Sequence, residues 1–241
     1  MKNILVTGGA GYIGSHCVKR LVADGYNVTV LDNCDRGHAV AVDRASRCKA
    51  TLLRTDLRDT SRIVTALQDY DIEGVIHFAA LAYVGESVDE PLRYYDNNTA
   101  GTVSLLQAMD QAGVNRIVFS STCATYGEPA TMPITEEMPQ QPINPYGWSK
   151  LMTERALIDY GNAHDDFAFA ALRYFNVAGS DPEGVIGEDH TPETHLIPVV
   201  LNCALGKVKQ MSVFGTDYDT PDGTCIRDYI HVNDLVDAHI T

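Results

Sequence analysis

The stretch NILVTGGAGYIGSH, Asn3 to His16, decides the architecture. Its first part, NILVT, is a short apolar run of strand character, and YIGSH opens the helical pattern YIGSHCVKRLVADG, which Gly25 closes. Between them stand Gly8, Gly9, Gly11 and Gly14, so that Gly9-x-Gly11-x-x-Gly14 falls where the strand hands over to the helix. Glycine permits the tight turn, lets a ligand approach the backbone, and lets the helix pack close on the strand. The free N–H groups of the helix start then face that ligand, which favours an anion.

Working outward, the next strand-like run, NVTVLDN, ends in Asp32, about 20 residues beyond the glycine turn. A carboxylate at that distance suits the ribose hydroxyls of a dinucleotide and repels a 2′-phosphate, so the pair predicts NAD rather than NADP. Asp56, in RTDLRD after the third run, is placed to meet the adenine edge. The runs TLLRT, GVIHFA, RIVFSS and FAFAALRY alternate with helical stretches, among them LRYYDNNTAGTVSLLQAMDQAG, closed by Gly113. Such alternation predicts βαβ units in an α/β, Rossmann-type, doubly wound parallel sheet. After Tyr174 the texture turns rich in Gly, Pro, Asp and Glu, and HLIPVVLNCALG follows as a short helix. The expected division is therefore 1–174 for the dinucleotide-binding domain and 175–241 for a smaller substrate lobe.

Composition narrows the function. The 241 residues are 45% hydrophobic and 21% charged, and no apolar run has the length of a membrane span. With 32 acidic against 18 basic residues, the net charge of −14 argues against nucleic acid. Six scattered cysteines without a C-x-x-C pair, and an N-terminus without a secretory apolar segment, predict reduced thiols and a cytoplasmic location. Asp189, His190, Glu193 and His195 have metal-ligand chemistry, but they occupy an irregular Pro-containing loop, and no metal site is expected there.

The stretch PYGWSK then suggests chemistry. Tyr146 and Lys150 are four residues apart behind Pro145, which suits a first helical turn, so both side chains share one face. A phenol is a poor base at neutral pH unless nearby positive charge favours the phenolate, which Lys150 and a bound nicotinamide ring would provide. The spacing is common by chance, and position gives it weight. Ser120, Ser121 and Thr122 end the preceding strand RIVFSS, where a parallel sheet delivers groups to its ligand crevice. A hydroxyl, a phenol and an amine there form a relay for a proton from a substrate alcohol.

Taken together, TGGAGYIGSH, LDN, HFAALAYVGES, YYDNN, SSTCATYGEP, INPYGWSK, LRYFNVAGSDPEG and VFGTDYDTPDGTCIRDYIHV resemble the UDP-glucose 4-epimerases, extended short-chain dehydrogenases/reductases. The resemblance implies C4 inversion of a UDP-hexose: Tyr146 takes the 4-hydroxyl proton, hydride passes from C4 to NAD, the 4-keto sugar turns over, and hydride returns to the other face. It implies that Lys150 holds the nicotinamide ribose and Thr122 the sugar hydroxyl. It also implies cofactor contacts from Gly8, Gly11, Tyr12, Ile13, Gly14, Asp32, Asn33, Asp56, Leu57, Phe78, Ala79, Ala80, Asn97, Ser120 and Phe175. Asn176, His195, Leu196, Ser212, Phe214 and Arg227 would join Thr122 and Tyr146 in holding the UDP-sugar, and a homodimer is implied.

UDP-xylose/UDP-arabinose 4-epimerases share the same motifs. The related nucleotide-sugar dehydratases need an acid after the threonine, where this chain has Cys123 and Ala124. A catalytically silent NAD-binding fragment would need no Tyr-Lys-Thr set. Ala82 stands where many members carry lysine, and Trp148, in place of a small or basic residue, is expected on the far face of its helix. The family pattern continues past DLVDAHIT, so an incomplete substrate lobe is expected, ending in a helix that Asn233 would cap.

Overall fold

The computed structural model describes residues 2–241. Six parallel strands, β1 (Asn3–Thr7), β2 (Asn27–Asp32), β3 (Thr51–Arg54), β4 (Gly74–His77), β5 (Arg116–Ser120) and β6 (Ala168–Leu172), lie in the order β3-β2-β1-β4-β5-β6. The six apolar runs of the sequence are these strands. The order reverses between β1 and β4, which opens a crevice at their C-terminal ends. Register puts Thr7 beside both Leu31 and His77, so the residues that follow these strands emerge at one edge.

Each strand serves two faces because successive side chains alternate. Leu5, Leu31 and Phe119 pack on one side with Leu105, Met109 and Leu157. Val6, Val30 and Ile76 pack on the other with Val18, Leu21 and Val42. The connecting helices are α1 (Tyr12–Ala23), α2 (Ala39–Ser46), α3 (Thr60–Asp69), α4 (Val84–Asp89), α5 (Pro91–Tyr94), α6 (Gly101–Ala112) and α7 (Pro145–Ala163). The stretch expected as one long helix before Gly113 is divided into α5, a π-helical turn at Tyr95–Ala100, and α6. Gly113 at φ 72° closes it as expected.

Beyond β6, the short parallel pair β7 (Asn176–Ala178) and β8 (Tyr229–His231) brackets α8 (Leu196–Ala204), and α9 (Val232–Ile240) follows. α9 packs back on α1, placing Val236 and Ile240 in the same cluster as Val18 and Val30. Arg20 of α1 pairs with Asp237 across this contact. The cap of α9 differs from expectation: His231 precedes the helix, and its Nδ1 accepts from the Asn233 N–H at 3.2 Å. The two-residue offset is the short reach of a capping side chain, which must stand just outside the helix to meet its first N–H groups.

Candidate active site

The glycine turn is shaped by what surrounds it. Gly8 takes φ 71°, and a Cβ there would meet the Ala79 nitrogen at 2.5 Å, because the Phe78–Ala80 loop crosses directly above. Phe78 and Ala79 donate their N–H groups to the Thr7 carbonyl and hydroxyl, at 3.0 and 3.4 Å. A Cβ on Gly14 would stand 2.2 Å from the Gly8 carbonyl, whereas one on Gly11 meets only that oxygen, at 3.4 Å. Gly11 caps α1 without a side-chain bond, and the first turn carries no acid, so the N–H groups of Tyr12 and Ile13 remain available to an anion.

Asp32 ends β2 and is buried, with its carboxylate accepting from Ala10 N at 3.0 Å and Cys34 N at 2.8 Å. Burial raises its pKa while these two bonds oppose the rise. Asp56 lies beside it through Asn33, which donates to Asp56 at 3.2 Å, and the Arg58 guanidinium holds the Asp56 carboxyl well below the usual range. Leu57, the next residue, is buried in the core with Ile63 and Leu105.

On the other side of the crevice, α7 starts at Pro145, capped by Asn144, whose side chain accepts from Gly147 N at 2.8 Å. Tyr146 and Lys150 lie one turn apart, and the exposed Trp148 faces away. Lys150 is buried, donates to the Ser120 carbonyl at 2.8 Å, and lies 4.9 Å from the Phe119 ring. Burial pulls its pKa down to about 7, against the pull of Glu154. Thr122 lies at the end of β5 and faces the Tyr146 phenol, favouring its ionised form.

The balance at Tyr146 differs from the sequence reading. Burial and the neighbouring Tyr174 and Cys123 push the phenol well above its ordinary range, and Lys150 does not offset them. The physical reason is that burial disfavours the charged form of Lys150 as well, so it brings little positive charge to the phenol. The protein's own groups therefore hold Tyr146 protonated, and a further positive charge is needed to ionise it.

Other expected residues are placed as follows. Asn97 lies on the π-helical turn and donates to Asn98 at 2.9 Å. Ser120 is buried and bonds the Tyr174 hydroxyl. Phe175 is partly exposed, and Asn176 donates to the Asp228 carbonyl at 3.0 Å. Arg227 bonds its neighbour's carbonyl and stands near enough to Cys123 to favour the thiolate. His195 caps α8 and Leu196 is its exposed first residue. Ser212 and Phe214 lie on exposed chain, and among the described residues neither side chain makes a hydrogen bond, ion pair or ring contact.

Sequence reasoning missed three supports. Asn98 is buried and ties the Leu81 backbone, at 2.8 and 3.0 Å, to Ser149 of α7 at 3.0 Å. His77 links Thr7 at 2.6 Å to Thr102 at 2.9 Å, and burial lowers its pKa to about 3. Glu154, one turn past Lys150, accepts from Ser121 and from the Arg173 guanidinium at 2.7 Å, fixing α7 against the ends of β5 and β6. The one signal in the sequence is that Glu154 stands four residues past Lys150 and so shares its helical face.

The profile of the NAD-dependent epimerase/dehydratase family matches residues 4–241. The chain belongs to that family. Within it, the chain is 52% identical to a UDP-glucose 4-epimerase of Lactobacillus helveticus, over 98% of this chain and 70% of the relative. A UDP-glucose 4-epimerase of Brucella ovis, crystallised in complex with NAD, superposes with a TM-score of 0.94 at 50% identity, covering 100% of this chain and 72% of that one. A probable UDP-arabinose 4-epimerase of Oryza sativa subsp. japonica is 48% identical over 99% of this chain and 59% of its own length.

Proposed function

We infer that this chain inverts C4 of a UDP-hexose, interconverting UDP-glucose and UDP-galactose through a 4-keto sugar, with NAD held across the crevice. The observation that carries this reading is the convergence of Thr122, Tyr146 and Lys150 at the end of β5, opposite an uncapped glycine-lined helix start. NAD fits the residues present: Tyr12 and Ile13 would bind its pyrophosphate through their N–H groups, and Asp32 its adenosine ribose. When bound, it supplies a reversible hydride acceptor and a cationic ring.

The chain's own residues divide the remaining work. Tyr146 is the proton acceptor for the 4-hydroxyl and returns that proton to the product alcohol. Thr122 holds the same hydroxyl and favours the phenolate at the moment of transfer. Lys150 orients the ribose beside Tyr146 while its bond to Ser120 fixes α7 to the sheet. Cys123 and Ala124 follow Thr122, so no carboxylic acid stands there to drive loss of water, which favours epimerisation over dehydration.

Asn176, His195, Leu196, Ser212, Phe214 and Arg227 are proposed to hold the UDP-sugar, with Arg227 bringing positive charge to the diphosphate. We take 1–174 as the cofactor-holding part and 175–241 as the beginning of the sugar-holding part. A second reading, a UDP-pentose 4-epimerase, is favoured by the 48% identity to the rice relative. A homodimer is the assembly proposed, and six free cysteines support the cytoplasm as its location. No helix among the described residues is long and apolar enough to cross a membrane.

Incubation with UDP-glucose, UDP-N-acetylglucosamine and UDP-xylose in turn, with chromatographic separation of the 4-epimers, tests the reading. UDP-galactose forming fastest is the expected result; preferential turnover of UDP-xylose assigns the pentose reaction, and no epimer from any of them overturns both.

A further inference from the structure

The loop between β7 and α8 brings Glu188, His190, Glu193 and His195 together, with one candidate donor atom from each lying within 4.8 Å of the others. His190 Nδ1 stands 3.4 Å from a Glu188 oxygen and 3.5 Å from a Glu193 oxygen. His195 Nδ1 faces the same two carboxylates at 3.1 and 2.8 Å. We propose that these four side chains form a binding site for a divalent first-row transition metal, with Zn²⁺ as its natural probe.

Four bonds of 2.0–2.1 Å in a tetrahedron separate the ligand atoms by roughly 3.3 Å. The four His–carboxylate separations, 2.8–3.5 Å, bracket that value, and every pair of donor atoms lies within 4.8 Å. Two imidazoles with two carboxylates suit Zn²⁺ and its neighbours, whereas Ca²⁺ and Mg²⁺ prefer oxygen alone. The alternative is a plain set of His–Glu ion pairs. Against it, His190 Nδ1 is shielded from solvent without a hydrogen-bond partner among the described residues, and its distances to the carboxylates are long for a bond. Glu188 and Glu193 are only 9% and 14% exposed, and their ion-pair partners among the described residues are these two histidines. Glu193 Oε1 also accepts from the Thr194 and His195 N–H groups, each at 2.8 Å, which leaves Glu193 Oε2 and the Glu188 carboxylate as the oxygens a cation would draw in.

The sequence offered Asp189, His190, Glu193 and His195 as ligand types and argued against a metal because the loop is irregular. The folded loop turns Asp189 outward, 77% exposed toward His38, and brings in Glu188 instead. Aromatic edges complete the surroundings: His190 meets Tyr12 and Tyr83 edge-on, at 6.3 and 6.1 Å between centroids. A bound metal would fix this loop, and the first residue of α8, against the start of α1. Its function would be to clasp the loop over the cofactor crevice.

The test uses the 241-residue chain, freed of metal by a chelator and then titrated with Zn²⁺ by calorimetry and with Co²⁺ by visible absorption. The expected result is one metal per chain and the intense absorption of four-coordinate Co²⁺. His190→Ala and, separately, Glu193→Gln should weaken binding by more than about 100-fold, since losing even an outer partner of a ligand costs 10- to 100-fold. Both metal-free variants should keep the wild-type circular dichroism. Wild type binding no more tightly than His190→Ala, or Co²⁺ showing only weak six-coordinate absorption, would overturn the proposal.

Discussion

Tyr146 and Lys150 carry opposite electrostatic problems, and each yields a measurable consequence. Tyr146 is held neutral by burial, so replacing its hydroxyl removes a proton carrier without removing a charge. Tyr146→Phe is expected to lower kcat by about 10²–10⁴-fold with KM for the UDP-sugar nearly unchanged, as steady-state kinetics would report. Unchanged kcat would refute the assignment. Lys150 has a folded pKa of about 7 against an ordinary 10.5, so between those values the unfolded chain binds the extra proton. Its penalty on stability is full below pH 7 and fades as pH rises toward 10.5. Urea midpoints should therefore increase over that window in wild type, and Lys150→Met should flatten the increase. An identical pH profile in the variant would show that Lys150 is not desolvated as described.

At the level of elements, β1, its glycine turn and α1 were legible because their chemistry is local: an apolar run, a turn that only glycine can make, and a helical stripe. The same held for Asp32, Tyr146 and Lys150, fixed by spacing within or just after an element. What stayed illegible depended on distant partners. Nothing nearby distinguishes Asn98 from Asn97, yet Asn98 joins the Leu81 loop to Ser149, 51 residues away. Glu154 owes its importance to Arg173 on another element, and the cap of α9 falls two residues before Asn233 because the short capping side chain must stand just outside the helix to reach its first N–H groups. The glycine turn supplies the test at this scale. Gly14→Ala drives a methyl to within 2.2 Å of the Gly8 carbonyl, backbone that cannot swing aside. We expect a loss of about 1–3 kcal/mol in chemical denaturation and a fall in the NAD released on denaturing the purified protein. Normal NAD content in that variant would dissociate the turn from cofactor binding.

For the whole molecule, the proposed homodimer needs an apolar surface to cover. Trp148 and Met152, one turn apart on α7, are 41% and 43% exposed, and Val103 on α6 is 40% exposed. Met152→Glu should shift the species seen in light-scattering chromatography from dimer to monomer, whereas a wild-type monomer would rule the assembly out. The docking of α9 on α1 has a consequence of another kind, for the order in which the chain is made. Val236 and Ile240 join the layer over one face of the sheet more than two hundred residues after the helix they cover. At translation speeds of 5–20 residues per second, α1 waits roughly 10–40 s outside the ribosome before its lid is synthesised. During that interval the side of α1 destined for α9 remains wetted and adhesive, so the newborn polypeptide depends on molecular chaperones more heavily than the sheet's regular βαβ order would suggest.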